Sequence, residues 1–277
     1  MRRIVNLINI FKRKYHYSLI LLKQLVIVDF KIRYKGSVLG YVWTLLRPLA
    51  LFIILYVVFV HFLRINTNIP HYAVYLLLGV VLWSYFTEVT NNGLSAIVGK
   101  GDLFRKLAFP RYIVVVAGSF SALINLGINL VVVGIFMIIN GIDLSWASLL
   151  IFPLIIELFI FGLAVAFLLS ALYVKFRDVS YIWEVILQAG FYATPILYPI
   201  SLVVKSSPIV ANIMVLNPVA QIIQDIRSVV VAKDTITIVS LYHSAWAYLM
   251  PFSIVALVAL ISVLYFKRQS PRFAEEI

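Results

Sequence analysis

The residues closest to a phosphate-binding pattern lie near position 100. Gly99 and Lys100 match the end of the phosphate-loop motif, in which a glycine-rich turn and a lysine hold phosphates. The motif also requires glycine at 94 and serine or threonine at 101, where Leu94 and Gly101 stand. Since no other segment carries the pattern, we expect no nucleotide site in this chain.

The acidic residues offer little for hydrolysis or group transfer. Such chemistry needs a base, and usually metal-binding carboxylates, that converge on one point. The 11 acidic residues are scattered singly apart from Glu275 and Glu276. No histidine stands four residues from another ligand, so we predict no metal site. Glu157 lies deep in an apolar segment, where it fits either a functional group or a structural, hydrogen-bonded glutamate.

A third set of residues could contact a sugar polymer. Aromatic side chains combine flat apolar rings with, in tyrosine and tryptophan, a polar tip. Aromatic residues at the ends of apolar helices also anchor proteins at membrane surfaces, and this interpretation stays open. The candidates share a face of one apolar helix or begin another: Gln188, Phe191, Tyr192, Pro195 and Tyr198, and Tyr41, Trp43 and Thr44.

The amino-acid composition is too hydrophobic for a soluble protein. Of the 277 residues, 63% are hydrophobic and 12% are charged, and the mean hydropathy is +1.04. A soluble domain of this length cannot bury so much apolar surface. The sequence therefore predicts an integral membrane protein, and its net charge of +12 is explained by basic loops better than by nucleic-acid binding. Cysteine is absent, which excludes disulfides.

The apolar segments predict an all-α protein with a single transmembrane domain. Residues 17–30 are apolar but too short to span, so we expect an interfacial helix within a cytoplasmic segment, residues 1–40. Residues 41–266 form the membrane domain, and 267–277 form a cytoplasmic tail. The six predicted spans are 41–63, 72–90, 112–139, 148–172, 181–198 and 246–266.

Lysine and arginine are distributed unevenly between the two sides of the membrane. Six spans put both termini on one side, which holds 19 of the 23 basic residues. The other side holds only Arg64, Lys205, Arg227 and Lys233. Because basic loops are retained in the cytoplasm, both termini and the loops 91–111 and 173–180 are predicted to be cytoplasmic.

The connection between the fifth and sixth spans is itself apolar. Asn217 and Pro218 are a favourable N-cap and first helical residue, and they separate predicted helices 207–216 and 218–232. We expect a re-entrant hairpin with Ile222, Ile223 and Ile226 facing lipid. A helix on the outer leaflet is the alternative. The polar face, expected to point at a channel or a partner subunit, carries Gln221, Gln224, Asp225 and Ser228.

The cytoplasmic loops contain candidate contacts for a soluble partner. Apolar residues interleave with charged ones over 100–109, as in a short amphipathic helix that fills a groove. A solvated basic loop is the alternative. Asp178 fits a helix cap as well as a contact. The candidate contacts are Lys100, Asp102, Leu103, Phe104, Arg105, Lys106, Phe109, Arg177 and Asp178.

Five motifs, in order and spacing, resemble the permease subunit of bacterial ABC exporters of lipid-linked polysaccharide (O-antigen or capsule) and teichoic acid. They are RYKGSVLGYVWTLLRPL (33–49), FRKLAFPR (104–111), FRDV (176–179), TPILYP (194–199) and LNP (216–218) followed by Arg227. The resemblance covers almost the whole chain. Arg47 departs from the uncharged polar residue that many relatives have there.

The resemblance implies a homodimer in the bacterial cytoplasmic (inner) membrane with a channel at the dimer interface. It also implies two nucleotide-binding subunits on the cytoplasmic side, which would bind the ATP and magnesium, so that this chain needs no cofactor. The helices between the fifth and sixth spans would form an outer gate around Pro195, Pro199, Asn217, Pro218, Gln221, Gln224 and Asp225. An exporter of small lipids or drugs, and a membrane-embedded polyprenyl-phosphate sugar or acyl transferase, are the alternatives.

Overall fold

A computed structural model describes residues 2–33, 40–62, 69–101, 109–143 and 145–273. These ranges contain helices and turns and no strand, which confirms the predicted all-α fold. Five helical segments are long and apolar enough to cross a membrane: Trp43–Val60, Tyr72–Ala96, Tyr112–Ile139, Trp146–Lys175 and Ala245–Arg272.

Eleven α-helices make up the described part of the chain. They are α1 (Arg2–Arg33), α2 (Trp43–Tyr56), α3 (Tyr72–Ala96), α4 (Tyr112–Ile139), α5 (Ile151–Lys175), α6 (Val179–Ala193), α7 (Ile200–Ser206), α8 (Pro208–Leu216), α9 (Pro218–Val230), α10 (Ile238–Tyr242) and α11 (Leu249–Gln269). A π-helical turn, Val57–Phe62, extends α2. Short 3-10 turns precede α5 and α11 at Trp146–Leu150 and Ala245–Tyr248.

The centre of the fold is α3, which α4 and α5 enclose. Seventeen of its residues are buried, and an added Cβ at Gly93 would overlap Ala166 of α5, so these two helices touch backbone to backbone. Its C-terminal half is polar and pairs with α4: Asn125 donates to Glu88 at 2.6 Å, and Asn92 donates to the Gly118 carbonyl at 3.2 Å. The helix ends at Ala96, beyond the predicted limit of 90.

The third predicted span, 112–139, matches α4 at both ends. Its C-terminus is closed by Gly141, whose φ of 65° places it in the left-handed region that glycine adopts without strain. The amide nitrogen of Ile142 then donates to the Met137 carbonyl at 3.0 Å, and that of Asn140 donates to Phe136 at 3.0 Å. This cap satisfies carbonyls that the helix end leaves free.

The fifth predicted span is shorter than expected. Helix α6 ends at Ala193 rather than at 198, because Thr194 precedes a proline and takes an extended conformation, ψ 138°. Fifteen residues rise about 22 Å, less than the roughly 30 Å hydrocarbon thickness. Leu187 is its only buried residue, so α6 packs thinly against the rest of the subunit.

At its N-terminus the chain forms one helix of 32 residues, α1, much longer than the predicted segment 17–30. It packs against α4, and Lys100 forms an ion pair with Asp29 at 2.8 Å. This pair joins α1 to the turn that leads into residues 102–108. The interfacial placement of α1 stays a prediction.

The predicted outer helices form within two residues of their expected bounds, as α8 and α9. Asn217 caps α9 by accepting a hydrogen bond from the Val219 amide at 3.0 Å. The two axes are bent by 96° at this residue, so they are not an antiparallel hairpin. Residues of α7, α8, α10 and the turn Ala245–Tyr248 share a separate small core: Ile200, Ala211, Val215, Ile238 and Ala247.

Candidate functional site

Helix α9 is enclosed by the subunit on every side. Ile222, Ile223 and Ile226 have no exposed surface, so the prediction that they face lipid is wrong. They pack in the main hydrophobic core, because α9 lies against α3, α5 and α11. The polar face is buried as well, with Gln221 1% and Gln224 0% exposed.

Arg227 of α9 is fully buried, and its guanidinium bonds only backbone carbonyls among the described residues. Nε donates to Tyr75 at 3.0 Å, Nη1 to Pro195 at 2.6 Å and Nη2 to Ile196 at 2.9 Å. The guanidinium carbon lies 3.5 Å from the centre of the Tyr75 ring, in a cation–π contact. Arg227 therefore fastens the break after α6 to both α3 and α9.

The break needs these donors because residues 195 and 196 lie beyond the end of α6 and have no helical partner for their carbonyls. Tyr72 donates to the next carbonyl, that of Leu197, at 2.7 Å. Space for the guanidinium comes from Gly79, since any Cβ there would overlap Nη2. Pro195 and Pro199 are both buried in this arrangement.

From the sequence, Arg227 was identified only as part of a motif and as a basic residue of the outer side, and Tyr72, Tyr75 and Gly79 were missed. An arginine within an apolar helix was the one available signal. Nothing in the sequence indicates that its partners lie about 150 and 30 residues away.

On its other side, α9 meets α5 at a buried acidic pair, Glu157 and Asp225. They are 6% and 4% exposed. The Gln221 side-chain amide donates to Asp225 Oδ2. Gln221 also lies beside Glu157, and Tyr248 lies beside Asp225. The sequence gives no hint of this pairing, which joins carboxyls 68 positions apart. Gln221, Gln224 and Asp225 thus point into the subunit in this conformation, and their role in a gate stays a prediction.

The predicted channel residues lie on α6, in the break that follows it, and around the start of α2. On α6, Tyr192 is 67% exposed and Gln188 is exposed beside Glu184. Phe191 turns inward instead and meets Trp83 edge to face at 6.2 Å. Tyr198 is half-buried, and its hydroxyl donates to the Tyr192 carbonyl at 2.8 Å.

At the start of α2, Trp43 is 52% exposed and Thr44 is half-buried. The side chain of Tyr41 lies outside the described part of the structure. Trp43 and Tyr192 therefore present aromatic surface outside the subunit, whereas Phe191 belongs largely to its core.

Some of the predicted partner contacts are engaged within the subunit, and others are exposed. Lys100 bonds Asp29 within the chain, and Phe109 is half-buried against the core. Arg177 and Asp178 are exposed, next to Phe176, which is 51% exposed. Asp178 occupies the N-cap position of α6 without a side-chain cap bond. The remaining candidates fall outside the described residues: Asp102, Leu103, Phe104, Arg105 and Lys106.

Five long apolar helices, the short α6 and the bent pair α8 and α9 define a polytopic membrane protein. The sequence model of the ABC-2 type transporter family matches residues 20–231, and the chain belongs to this family. Such chains are transport components rather than enzymes.

Named relatives fall in the same class. The O-antigen export system permease protein RfbA of Myxococcus xanthus is 29% identical over 224 residues, which are 80% of this chain and 84% of that protein. A protein of the same name from Klebsiella pneumoniae is 30% identical over 217 residues, 76% of this chain and 81% of that protein.

Proposed function

We propose that this chain is the transmembrane subunit of an exporter that moves a polyprenyl-linked polysaccharide outward across the cytoplasmic membrane. The likeness to O-antigen export permeases supports a polymer of that type. ATP and magnesium would be bound by a separate nucleotide-binding subunit in two copies. Both termini would be cytoplasmic, as the distribution of basic residues favours.

The exposed face of α6 is the observation that carries this proposal. Glu184 and Gln188 are exposed there between Tyr181 and Tyr192, which are 71% and 67% exposed. Gln188 donates to Glu184 at 3.5 Å, but in contact with lipid tails the carboxylate would still be desolvated and the Gln188 carbonyl would lack a donor. A face of this kind suits a water-filled passage in which sugar hydroxyls exchange hydrogen bonds with it.

A single subunit does not enclose this face, so a second copy would have to close it. The start of α2, with Trp43 exposed, would contribute aromatic surface to the same passage. In such a homodimer Tyr41, Trp43, Thr44, Gln188, Tyr192 and Tyr198 would line the passage. Phe191 would act from behind, by fixing α6 on Trp83.

The outer gate would consist of the break after α6 together with α8 and α9. The Ser148 hydroxyl donates to the Val229 carbonyl at 3.1 Å, while Glu157 meets Gln221, so α9 runs antiparallel to α5. If Val229 lies at the outer rim, the turn at Asn217 and Pro218 lies about 18 Å inward along the axis. This depth supports a re-entrant segment.

The partner ATPase would bind the inner surface. Arg177, Asp178 and Phe176 are exposed, and the ion pair with Asp29 ties α1 to Lys100, which precedes the segment 102–108. The face would bind a nucleotide-binding subunit through Phe104 and the charged residues around it. The ion pair would then connect α1 to the same contact.

A complementation experiment tests the cargo. In a host deleted for this chain, lipid-linked polymer should accumulate on the cytoplasmic side, and surface polymer should return with the wild-type gene. Normal surface polymer in the deletion strain, with a change only in lipid or drug efflux, would favour the small-molecule alternative. Loss of polymer synthesis itself would favour the transferase alternative.

Thiol labelling tests the passage, since the chain has no cysteine of its own. Single cysteines at Gln188 and Tyr192 should react with a water-soluble thiol reagent in the assembled transporter. A cysteine at Ile135 on α4, where the native side chain is 50% exposed and would face lipid, is the matched control. Equal reaction at all three positions, or at none, would contradict the proposal.

A further inference from the structure

Three acidic or basic side chains of the described residues are more than nine-tenths buried: Glu157, Asp225 and Arg227. They meet around one helix, α9, but they do not pair with one another. The guanidinium of Arg227 donates its hydrogen bonds to backbone carbonyls on the α3 side. With all three ionised, the interior would carry one uncompensated negative charge.

The groups facing the acidic pair cannot supply the missing positive charge. Gln221 faces it from α9, and Tyr248 faces it from the start of the last span. On the α3 side, Tyr75 reaches Gln224 and Arg227 rather than either carboxyl. Within the described ranges, neither carboxyl forms an ion pair.

Three acceptors at this site lack a hydrogen donor. Glu157 Oε1, Asp225 Oδ1 and the Gln221 carbonyl Oε1 are buried and have no hydrogen-bond partner. The Gln221 side chain is neutral and 1% exposed, and its amide nitrogen already bonds Asp225. The unpartnered Gln221 oxygen therefore indicates, independently of the two acids, that a hydrogen donor belongs in this site.

We propose that Glu157 and Asp225 form a buried proton-binding site that holds one proton between them. Two neighbouring carboxylates in a medium of low dielectric cannot both stay ionised without a compensating cation. One proton balances the charge of Arg227 and supplies a carboxyl O–H for an orphan acceptor. It joins α9 to α5, and its loss would set two like charges against each other at this contact.

This inference does not depend on what the chain transports. Infrared spectroscopy tests it on the full-length chain in lipid nanodiscs at neutral pH. The wild-type protein should give the C=O stretch of a protonated carboxyl, shifted in heavy water. The band should disappear in Glu157→Gln or in Asp225→Asn, and it should persist in Asp143→Asn, which removes an exposed acid of the outer loop.

Stability against denaturant gives a second readout that does not depend on one variant. If the folded chain binds one proton more than the unfolded chain, each unit rise in pH lowers the folded-to-unfolded ratio by up to about tenfold. Glu157→Gln combined with Asp225→Asn should remove that component of the slope, while Asp143→Asn should keep it.

Three results would overturn the proposal. The first is absence of a protonated-carboxyl band at neutral pH, and the second is a band that survives both substitutions at the pair. The third is stability that follows the sodium concentration at fixed pH, since the occupant would then be a metal cation.

Discussion

Replacing Gly79 with alanine tests how Arg227 is held. The added methyl would overlap Nη2, and the guanidinium cannot step aside because Nε and Nη1 are also bonded, at 3.0 and 2.6 Å. We expect the Nη2 bond to Ile196 to break. That carbonyl is then left buried without its donor.

The size of the effect follows from two opposing terms. Losing one hydrogen bond from a charged group costs about 1.5–3 kcal/mol. Replacing glycine by alanine inside a helix returns roughly 0.5–1 kcal/mol. The free energy of unfolding should therefore fall by about 0.5–2.5 kcal/mol.

A double-mutant cycle isolates the contact. Arg227→Lys removes the planar fork, including Nη2, and is itself expected to destabilise. In that background Gly79→Ala no longer meets Nη2, and Ile196 Cγ2 at 3.3 Å needs only a small shift, so the change should be close to neutral or slightly stabilising. The two changes should thus couple by about 1.5–3 kcal/mol.

The assay is denaturation of the purified chain by SDS in mixed micelles, followed by circular dichroism. Gly127→Ala on α4 is the matched control, since an added Cβ there has no neighbour within 4 Å. It should be neutral or stabilising. Equal costs for Gly79→Ala in the wild-type chain and in the Arg227→Lys variant would refute the reasoning.

Three further outcomes are expected. The purified chain should hydrolyse no ATP, because it lacks a phosphate loop; turnover that co-purifies with the chain through successive columns would contradict this. Phe104→Asp should release the ATPase subunit from affinity-purified complexes while the chain still inserts, whereas unchanged co-purification would place docking elsewhere. Single cysteines at Gln221 and Gln224 should resist a water-soluble thiol reagent in the resting transporter, because both positions are buried, and should react faster when ATP is trapped in the partner. Fast reaction in every state would mean that α9 is not enclosed.

Much of the fold could be predicted because its limits are set by local chemistry. The ends of α4 follow from Pro110 and from the Asn140-Gly141 cap, and the boundary between α8 and α9 follows from Asn217 and Pro218. Proline geometry and helix capping act within a few residues. These helix ends can therefore be predicted from residues that are close in sequence.

The surroundings of α9 could not be predicted in the same way. Inside a bilayer, an apolar stripe that faces lipid and one that faces protein have the same composition, so periodicity does not separate them. Ile222 and Ile226 belong to the second kind. The sequence correctly predicted that α9 has one apolar and one polar face. What each face contacts depends on helices that are distant in sequence.

The candidate site shows the same limit at single residues. Lys100 has the charge of a partner contact, yet Asp29, 71 positions earlier, already binds it. Phe191 and Tyr192 are adjacent aromatic residues, and one packs on Trp83 while the other is exposed. Residue types indicated where function is concentrated, and tertiary packing decided which side chains are available.

The enclosure of α3 has a consequence for how the chain is made. Of the five long helices, α3 is the least apolar and the most buried. Yet the partners of its polar C-terminal half, Asn125 and the Gly118 carbonyl, belong to α4, which the ribosome completes later. During synthesis we therefore expect the polar groups of α3 to stay in contact with the insertion machinery or with water until α4 has been made. The central helix of the finished subunit would then insert stably into the bilayer only after the helices that follow it in sequence have been synthesised.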